Sequence, residues 1–342
     1  FMNLFGAGKL MDAFLVAFKI PNFLRRLFAE GAFSQAFVPV LSDVRAQRGD
    51  DAVRQLINHV AGTLTLIIGS LTAVAMVFSP AIIFIFAPGF HDDAVRFDLA
   101  ADMLRITFPY LLLISLTAFA GGILNSYGRF GASSFTPVLL NLTMIACAIW
   151  LAPLLTTPIM ALAWGVLIAG IVQLGFQWLP LRQINLVPRF KPNFKDPDVK
   201  RILTLMLPAM FGVSVSQINL LLDTILASFL VAGSVSWLYT AERLTELPLG
   251  LIGIAVATVI LPTLSTKHAE KSDAEFRATI DWALKVIFMV GVPASLAMGI
   301  LAEPLLASLF HHGQFDRTDV VKSAMALQAL SGGILAFMLV KV

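Results

Sequence analysis

The stretch that decides the fold is DAFLVAFKIPNFLRRLFAEGAFSQAFVP, residues 12–39. It is mostly apolar, yet it carries acidic and basic side chains, and Pro21 lies inside it. An apolar helix of about 20 residues crosses a bilayer. Proline removes one backbone hydrogen bond and bends such a helix. We therefore predict a bent membrane helix that holds ionisable groups at bilayer depth.

The rest of the chain has the same apolar character. Of its 342 residues, 58% are apolar and 13% are charged, whereas about 25% of residues are charged in an average soluble domain. Apolar stretches long enough to cross a bilayer recur along the chain and predict an all-α integral membrane protein. The predicted spans a to i are residues 10–44, 54–87, 97–127, 134–153, 158–181, 198–231, 234–264, 274–311 and 319–342.

Lysine and arginine are unevenly divided between the links that join these spans. Alternate links carry thirteen of them: Arg45, Arg48, Arg54, Arg129, Arg182, Arg189, Lys191, Lys195, Lys200, Arg201, Lys267, Lys271 and Arg277. The opposite links carry only Arg96, Arg317 and Lys322. Basic links stay in the cytoplasm, so the a–b, c–d, e–f and g–h links are predicted to be cytoplasmic. The basic link after Arg182 is interpreted as a topogenic signal and not as a nucleic-acid site, since it joins two membrane spans.

The chain contains an internal repeat. At an offset of 223 residues, residues 38–42 align with residues 261–265, and at an offset of 224, residues 79–86 align with residues 303–310. Spans a to c then correspond to spans g to i, six crossings later, so both copies have the same orientation. Parallel repeats of this kind alternate access to a site at their interface near the bilayer midplane. The repeat therefore favours transport.

The repeat also predicts how the lobes are divided. Two periods of about 223 residues exceed the 342 residues of the chain. We therefore expect residues 1–190 to form an N-terminal lobe that lacks its first helix. Residues 191–342 are expected to form the first part of a C-terminal lobe, so that the fold is truncated at both ends.

Ionisable side chains at bilayer depth cluster in spans a and g. Such groups cost roughly 2.5 to 3.5 kcal/mol each on insertion scales, so they usually face a cavity. The candidate cavity residues are Asp12, Lys19, Arg25, Arg26, Glu30, Glu242, Arg243 and Glu246. Arginine binds phosphate or pyrophosphate through its planar fork. The alternative is that these residues form buried salt bridges or extend to the membrane surface.

A lone carboxylate, Asp223, follows Gln217 and Asn219 in span f. A single intramembrane carboxylate can couple transport to Na⁺ or H⁺, although it can also hydrogen-bond to a neighbouring helix. The sequence has no phosphate-binding loop, zinc-protease motif, hydrolase elbow or Cys/His cluster, so the usual enzyme chemistries lack their parts. We predict no enzyme and no cofactor, with Na⁺ or the membrane potential as the energy source.

Residues 12–39 resemble the second transmembrane helix of the MurJ (MviN) family of lipid II flippases. Further matches are residues 107–110, 212–218 and 234–248, and the resemblance covers essentially the whole chain. It implies a MATE-like fold of the MOP superfamily with two parallel-repeat lobes, in which spans a to i correspond to the second to tenth of fourteen helices. It also implies flipping of lipid II across the bacterial cytoplasmic (inner) membrane for peptidoglycan synthesis, with cell-wall synthesis proteins as further partners.

Carried over by position, the resemblance assigns residues to the family's central cavity and to its Na⁺ site. The cavity residues are Asp12, Arg25 and Arg243, with Arg26, Glu30 and Glu246 in the same motifs, and Asp223 resembles a Na⁺ ligand. The alternatives are a polysaccharide-lipid or multidrug exporter of the same superfamily, an intramembrane glycosyltransferase that uses lipid-linked sugars, and a non-transporting scaffold. The motif of span a disfavours other exporters, and the short outward links disfavour a glycosyltransferase.

Overall fold

The computed structural model describes residues 1–250 and 273–340, and every regular element in these ranges is helical. In hydrocarbon each backbone N–H and C=O must find a partner within the protein, and a helix provides all of them locally. The helices are α1 (Met2–Phe5), α2 (Lys9–Arg25), α3 (Ser34–Val77), α4 (Ser79–Phe86), α5 (Ala94–Thr107), α6 (Pro109–Ser126), α7 (Phe130–Ala146), α8 (Met160–Gln183), α9 (Pro197–Ser228), α10 (Ser234–Pro248), α11 (Asp273–Ile300), α12 (Ala302–Phe310) and α13 (Arg317–Leu339). Two segments are π-helical, Arg26–Phe33 and Cys147–Leu151.

Six helices of the described ranges are long and apolar enough to cross a membrane. They are Ser34–Val77, Ala94–Ser126, Phe130–Leu154, Met160–Gln183, Glu275–Ile300 and Arg317–Leu339. Helix α9 adds a seventh if its two halves, which are bent by 53°, count as one span. The predicted all-α membrane class is confirmed. The number of nine spans stays a prediction, and residues 251–264 of span g lie outside the described residues.

The link predicted between spans a and b contains a break in the helix. Two helical stretches of α3 meet at Gly49, whose φ of 75° and ψ of −174° are not helical, and the charged residues on either side of it are helical. This backbone region is open to glycine, which has no Cβ. The predicted break between spans a and b is therefore present at Gly49, and the two helical stretches extend closer to it than the predicted ends at residues 44 and 54.

Two compact units are seen, residues 12–231 and residues 1–11 together with 232–342. In residues 12–231, α3 packs against α6 and α9, and α8 packs against α5, α6 and α7. The rings of Phe33, Phe37 and Phe119 pack together in the core of this unit, with centroids 5.0 to 5.9 Å apart. The predicted lobes, residues 1–190 and 191–342, stay a prediction.

In the other unit, α10, α11 and α12 all pack against α13. Ile287 and Met338 are buried where α11 meets α13. The indole N–H of Trp237 donates to Asp319 Oδ1 at 2.8 Å and ties α10 to α13. This fixes the orientation of α10, the helix that carries the candidate residues of span g.

The same order of elements occurs in each unit. Helix α3 ends at Val77 and is followed after one residue by the short helix α4. Helix α11 is likewise followed after one residue by the short helix α12. The next helix is then capped by an aspartate, Asp93 for α5 and Asp316 for α13. The two caps differ by only one residue from the register of the sequence repeat in this region, so the repeated segments form matching elements.

Candidate functional site

The charged end of span a contains a widened turn. Helix α2 continues through Pro21 to Arg25, and the departure from α-helical geometry begins at Arg26 and continues to Phe33. We predicted the break at the proline, but the buried ring is accommodated and the π-helical segment follows it. Such segments are rare and are frequent at functional sites. The break therefore coincides with the charged residues of span a.

Two basic side chains of span a face α9. Lys19 Nζ donates to Thr224 Oγ1 at 3.3 Å, and Arg26 Nη1 donates to Gln217 Oε1 at 3.5 Å. Seven residues separate the two partners on each helix, which keeps them on one helical face. Both basic side chains are half-buried. Lys19 and Arg26, two of the candidate cavity residues, thus form a polar seam between span a and α9.

Asp12 has a different partner. Its side chain is fully buried, at 0% exposure, and its Oδ2 lies 3.3 Å from Nη2 of Arg96, which is 5% exposed. The guanidinium of Arg96 also lies 4.1 Å from the centroid of the Phe90 ring. The sequence placed Arg96 in an outward link and gave no sign of this contact. Asp12 is therefore one half of a buried salt bridge, and its role in a cavity stays a prediction.

Arg25 makes a local contact. Its Nε donates to Asn22 Oδ1 at 3.1 Å, and Asn22 Nδ2 donates to the backbone oxygen of Phe18 at 2.9 Å. Arg25 and Arg26 are both candidate cavity residues, but they point in different directions. The structure places Arg26 on the seam with α9 and holds Arg25, half-buried, along its own helix. The side chain of Glu30 lies outside the described residues.

The candidate residues of span g lie together on α10. Arg243 Nη1 lies 2.8 Å from Glu246 Oε2, and the guanidinium lies 4.8 Å from the centroid of the Tyr239 ring. Arg243 and Glu246 are exposed, and Glu242 is half-buried. The predicted proximity of Arg243 and Glu246 is present. A chamber shared by spans a and g stays a prediction.

Asp223 is exposed on α9 beside Thr224, the hydroxyl that accepts from Lys19. Within residues 1–250 and 273–340, no group of three or more His, Cys, Asp or Glu side chains is placed to hold a metal ion. Asp223 is the residue assigned as a possible Na⁺ ligand. This assignment stays a prediction.

Comparison with known proteins identifies the family. The family model described as lipid II flippase MurJ matches residues 1–342. The probable lipid II flippase MurJ of Haemophilus influenzae is 48% identical, and the match covers 99% of this chain and 69% of the relative. That of Vibrio cholerae is 49% identical, with coverage of 99% and 66%. The chain thus spans about two thirds of the length of these relatives.

Solved structures agree in fold. A lipid II flippase MurJ in an inward closed conformation superposes with a TM-score of 0.83 at 29% identity, covering 99% of this chain and 69% of that one. An inward-facing MATE family multidrug resistance transporter of the MOP superfamily superposes with a TM-score of 0.74 at 16% identity, covering 98% of this chain and 78% of that one, and shows the fold alone. The predicted MATE-like MOP fold is confirmed. From its sequence match over all 342 residues, the chain belongs to the lipid II flippase MurJ family.

Proposed function

We propose that the protein formed by this chain moves lipid II, the undecaprenyl-pyrophosphate-linked peptidoglycan precursor, across the cytoplasmic membrane by alternating access. The family consists of lipid II flippases, which are transporters and not enzymes. One observation carries the proposal for this chain. Lys19 and Arg26 lie half-buried along one seam, at the π-helical break of span a.

The two acceptors that α9 provides to this seam are uncharged. A threonine hydroxyl at 3.3 Å and a glutamine amide oxygen at 3.5 Å are neutral acceptors, and hydrogen bonds between charged groups are roughly twice as strong as neutral ones. A pyrophosphate would therefore displace Thr224 and Gln217 from Lys19 and Arg26. Arg25, the residue before Arg26 in span a, supplies further positive charge there. The polyprenyl tail stays in lipid.

Substrate binding at the seam provides a switch. Thr224 and Gln217 both lie on α9, whose halves are bent by 53°. When the substrate head group binds Lys19 and Arg26, these two side chains release Thr224 and Gln217 of α9. Because Asp223 is next to Thr224, a Na⁺ ion bound there would act on the same helix. We propose Na⁺ or the membrane potential as the coupling energy.

The proposed location is the bacterial cytoplasmic (inner) membrane. A multi-pass membrane protein follows from the six apolar spans of the described residues. Lipid II is made for peptidoglycan, so proteins of cell-wall synthesis are the proposed partners beyond the lipid substrate and the membrane lipids. No nucleic-acid partner is proposed.

The test is a lipid II leaflet-accessibility assay on the protein in liposomes, with Arg26→Gln compared with Arg26→Lys. Loss of a hydrogen bond to a charged group costs about 1.5 to 3 kcal/mol, so Arg26→Gln should slow flipping at least about tenfold, whereas Arg26→Lys should retain much of it. Arg105→Gln, which removes an exposed arginine paired with Asp102 at 3.0 Å, is the matched control. Flipping by Arg26→Gln at the normal rate would contradict the proposal. Replacing Na⁺ by choline tests the coupling ion separately.

A further inference from the structure

A cavity of about 780 Å³ lies where the end of α8 meets α3, on the side predicted to be cytoplasmic. It is distinct from the seam of Lys19 and Arg26. Its wall contains three arginines, two asparagines and a tryptophan. The lining residues are Arg54, Ile57, Asn58, Trp178, Arg182, Asn185, Leu186, Val187 and Arg189.

The backbone fixes one wall of this cavity. The N–H of Leu186 donates to the oxygen of Leu181 at 3.1 Å, and the N–H of Asn185 donates to the oxygen of Arg182 at 3.1 Å. Asn185 has φ of 56°. This pair of bonds around a left-handed residue is the Schellman termination of a helix, in which asparagine can replace glycine. The turn folds the chain back at the end of α8 and brings the side chains of the wall together.

A second wall is held against α3. The backbone N–H of Arg189 donates to Asn58 Oδ1 at 2.6 Å, and that of Asn193 donates to Thr63 Oγ1 at 3.3 Å. Gly62 lies between them, and a Cβ there would come within 2.3 Å of the nitrogen of Pro192. The link after α8 thus lies directly on α3. We call residues 185–195 the strap.

The arginines of the cavity carry uncompensated charge. Among the described residues, none of Arg54, Arg182 and Arg189 forms an ion pair with a carboxylate. Two other arginines of the same predicted side do form such pairs, Arg48 with Asp198 at 2.6 Å and Arg201 with Asp43 at 2.9 Å. The cavity is therefore a place where positive charge is left available for an anion.

The cavity opens toward an apolar helix face that a lipid can lie against. Ile171 is 57% exposed and Leu179 is 64% exposed on α8. Trp178 lies at the same end of the helix, exposed, and lines the cavity. Tryptophan prefers the boundary between hydrocarbon and headgroups. This boundary therefore passes through the mouth of the cavity.

We propose that this cavity binds the phosphate of an anionic glycerophospholipid, such as phosphatidylglycerol, from the cytoplasmic leaflet. Arginine forks form bidentate bonds to phosphate oxygens, and basic pockets between membrane helices on the cytoplasmic side bind anionic headgroups. The acyl chains lie along the exposed apolar face of α8. Because Arg189 belongs to the strap, a bound lipid also holds the strap against α3.

The test counts phosphatidylglycerol molecules bound to the protein in detergent by native mass spectrometry. Arg182→Gln/Arg189→Gln is compared with Lys195→Gln/Lys200→Gln, a control that removes two charges of the same link outside the cavity. Loss of charge-assisted bonds should weaken binding at least about tenfold in the arginine variant. The lysine control should bind as the unchanged protein does. Phosphatidylethanolamine with the same acyl chains should bind more weakly than phosphatidylglycerol.

Three outcomes would overturn the proposal. One is equal binding of phosphatidylethanolamine and phosphatidylglycerol, which would remove the role of net charge. Another is an equal loss in both variants, which would show a general attraction to basic residues. The third is displacement of phosphatidylglycerol by inorganic phosphate at the same concentration, because the cavity would then take a free anion. Lipid II transport does not enter this test, so its result is independent of the proposed function.

Discussion

Removing the carboxylate of Asp12 should destabilise the protein through Arg96. Asp12→Ala leaves the guanidinium of Arg96 without its carboxylate partner at a position only 5% exposed. Removing one partner of a buried ion pair costs about 3 to 5 kcal/mol, because the remaining charge is uncompensated. Replacing both partners by apolar residues is often close to neutral. Asp12→Ala/Arg96→Met should therefore recover most of the lost stability.

The geometry supports this magnitude. At the 3.3 Å between Asp12 and Arg96, the attraction between unit charges is about 5 kcal/mol at an effective dielectric constant of about 20. Desolvation of both groups offsets part of this attraction in the intact pair. The contact of Arg96 with the Phe90 ring at 4.1 Å adds about 0.5 to 2 kcal/mol. The double variant loses this contact and should fall short of full recovery by that amount.

The assay is equilibrium unfolding in mixed micelles, followed by circular dichroism, together with lipid II flipping. Asp102→Ala is the control, since its pair with Arg105 at 3.0 Å is exposed and should contribute less than about 1 kcal/mol. Unfolding of Asp12→Ala at the normal midpoint would refute the reasoning. The flipping measurement distinguishes a structural role of Asp12 from a role in transport. A stable, active double variant assigns it to structure alone, whereas a stable, inactive one gives it a part in transport.

Two further predictions concern the strap and the start of α9. Burial raises the pKa of Asp196, but the hydrogen bonds from His59 and from two backbone amides outweigh it, so the pKa lies below the usual 3.8. Its contribution to stability is present above pH 3.8 and is lost as pH falls through the lower folded value. His59→Gln should therefore move acid unfolding, measured by circular dichroism, to higher pH; an unchanged midpoint would contradict this. Gly62→Ala should push Pro192 away and cost about 1 to 3 kcal/mol, seen as faster proteolysis of the strap, and unaltered cleavage would contradict the close packing.

The sequence predicted which charged residues belong to the candidate site, but it did not predict the groups that they contact. Lys19 and Arg26 share a face because they are seven residues apart, and this holds wherever the helix packs. Their acceptors on α9 and the partner of Asp12 on α5 lie far away in the chain. No local pattern encodes such contacts. The sequence therefore predicted charged residues at bilayer depth and left open whether each faces a cavity or a salt bridge.

The sequence by itself determined that this protein is helical and apolar enough to span a membrane, and which family it resembles. The helical membrane class follows from local chemistry, since apolar segments of sufficient length must form helices in hydrocarbon. Only the tertiary structure decided that Asp12 pairs with Arg96, that span a widens after Arg25, and that α3, α8 and the strap bring together three arginines with no ion pair among the described residues. The physical reason is that the energy of a charge depends on which groups packing brings within a few ångströms of it, and packing joins residues that are distant in the chain.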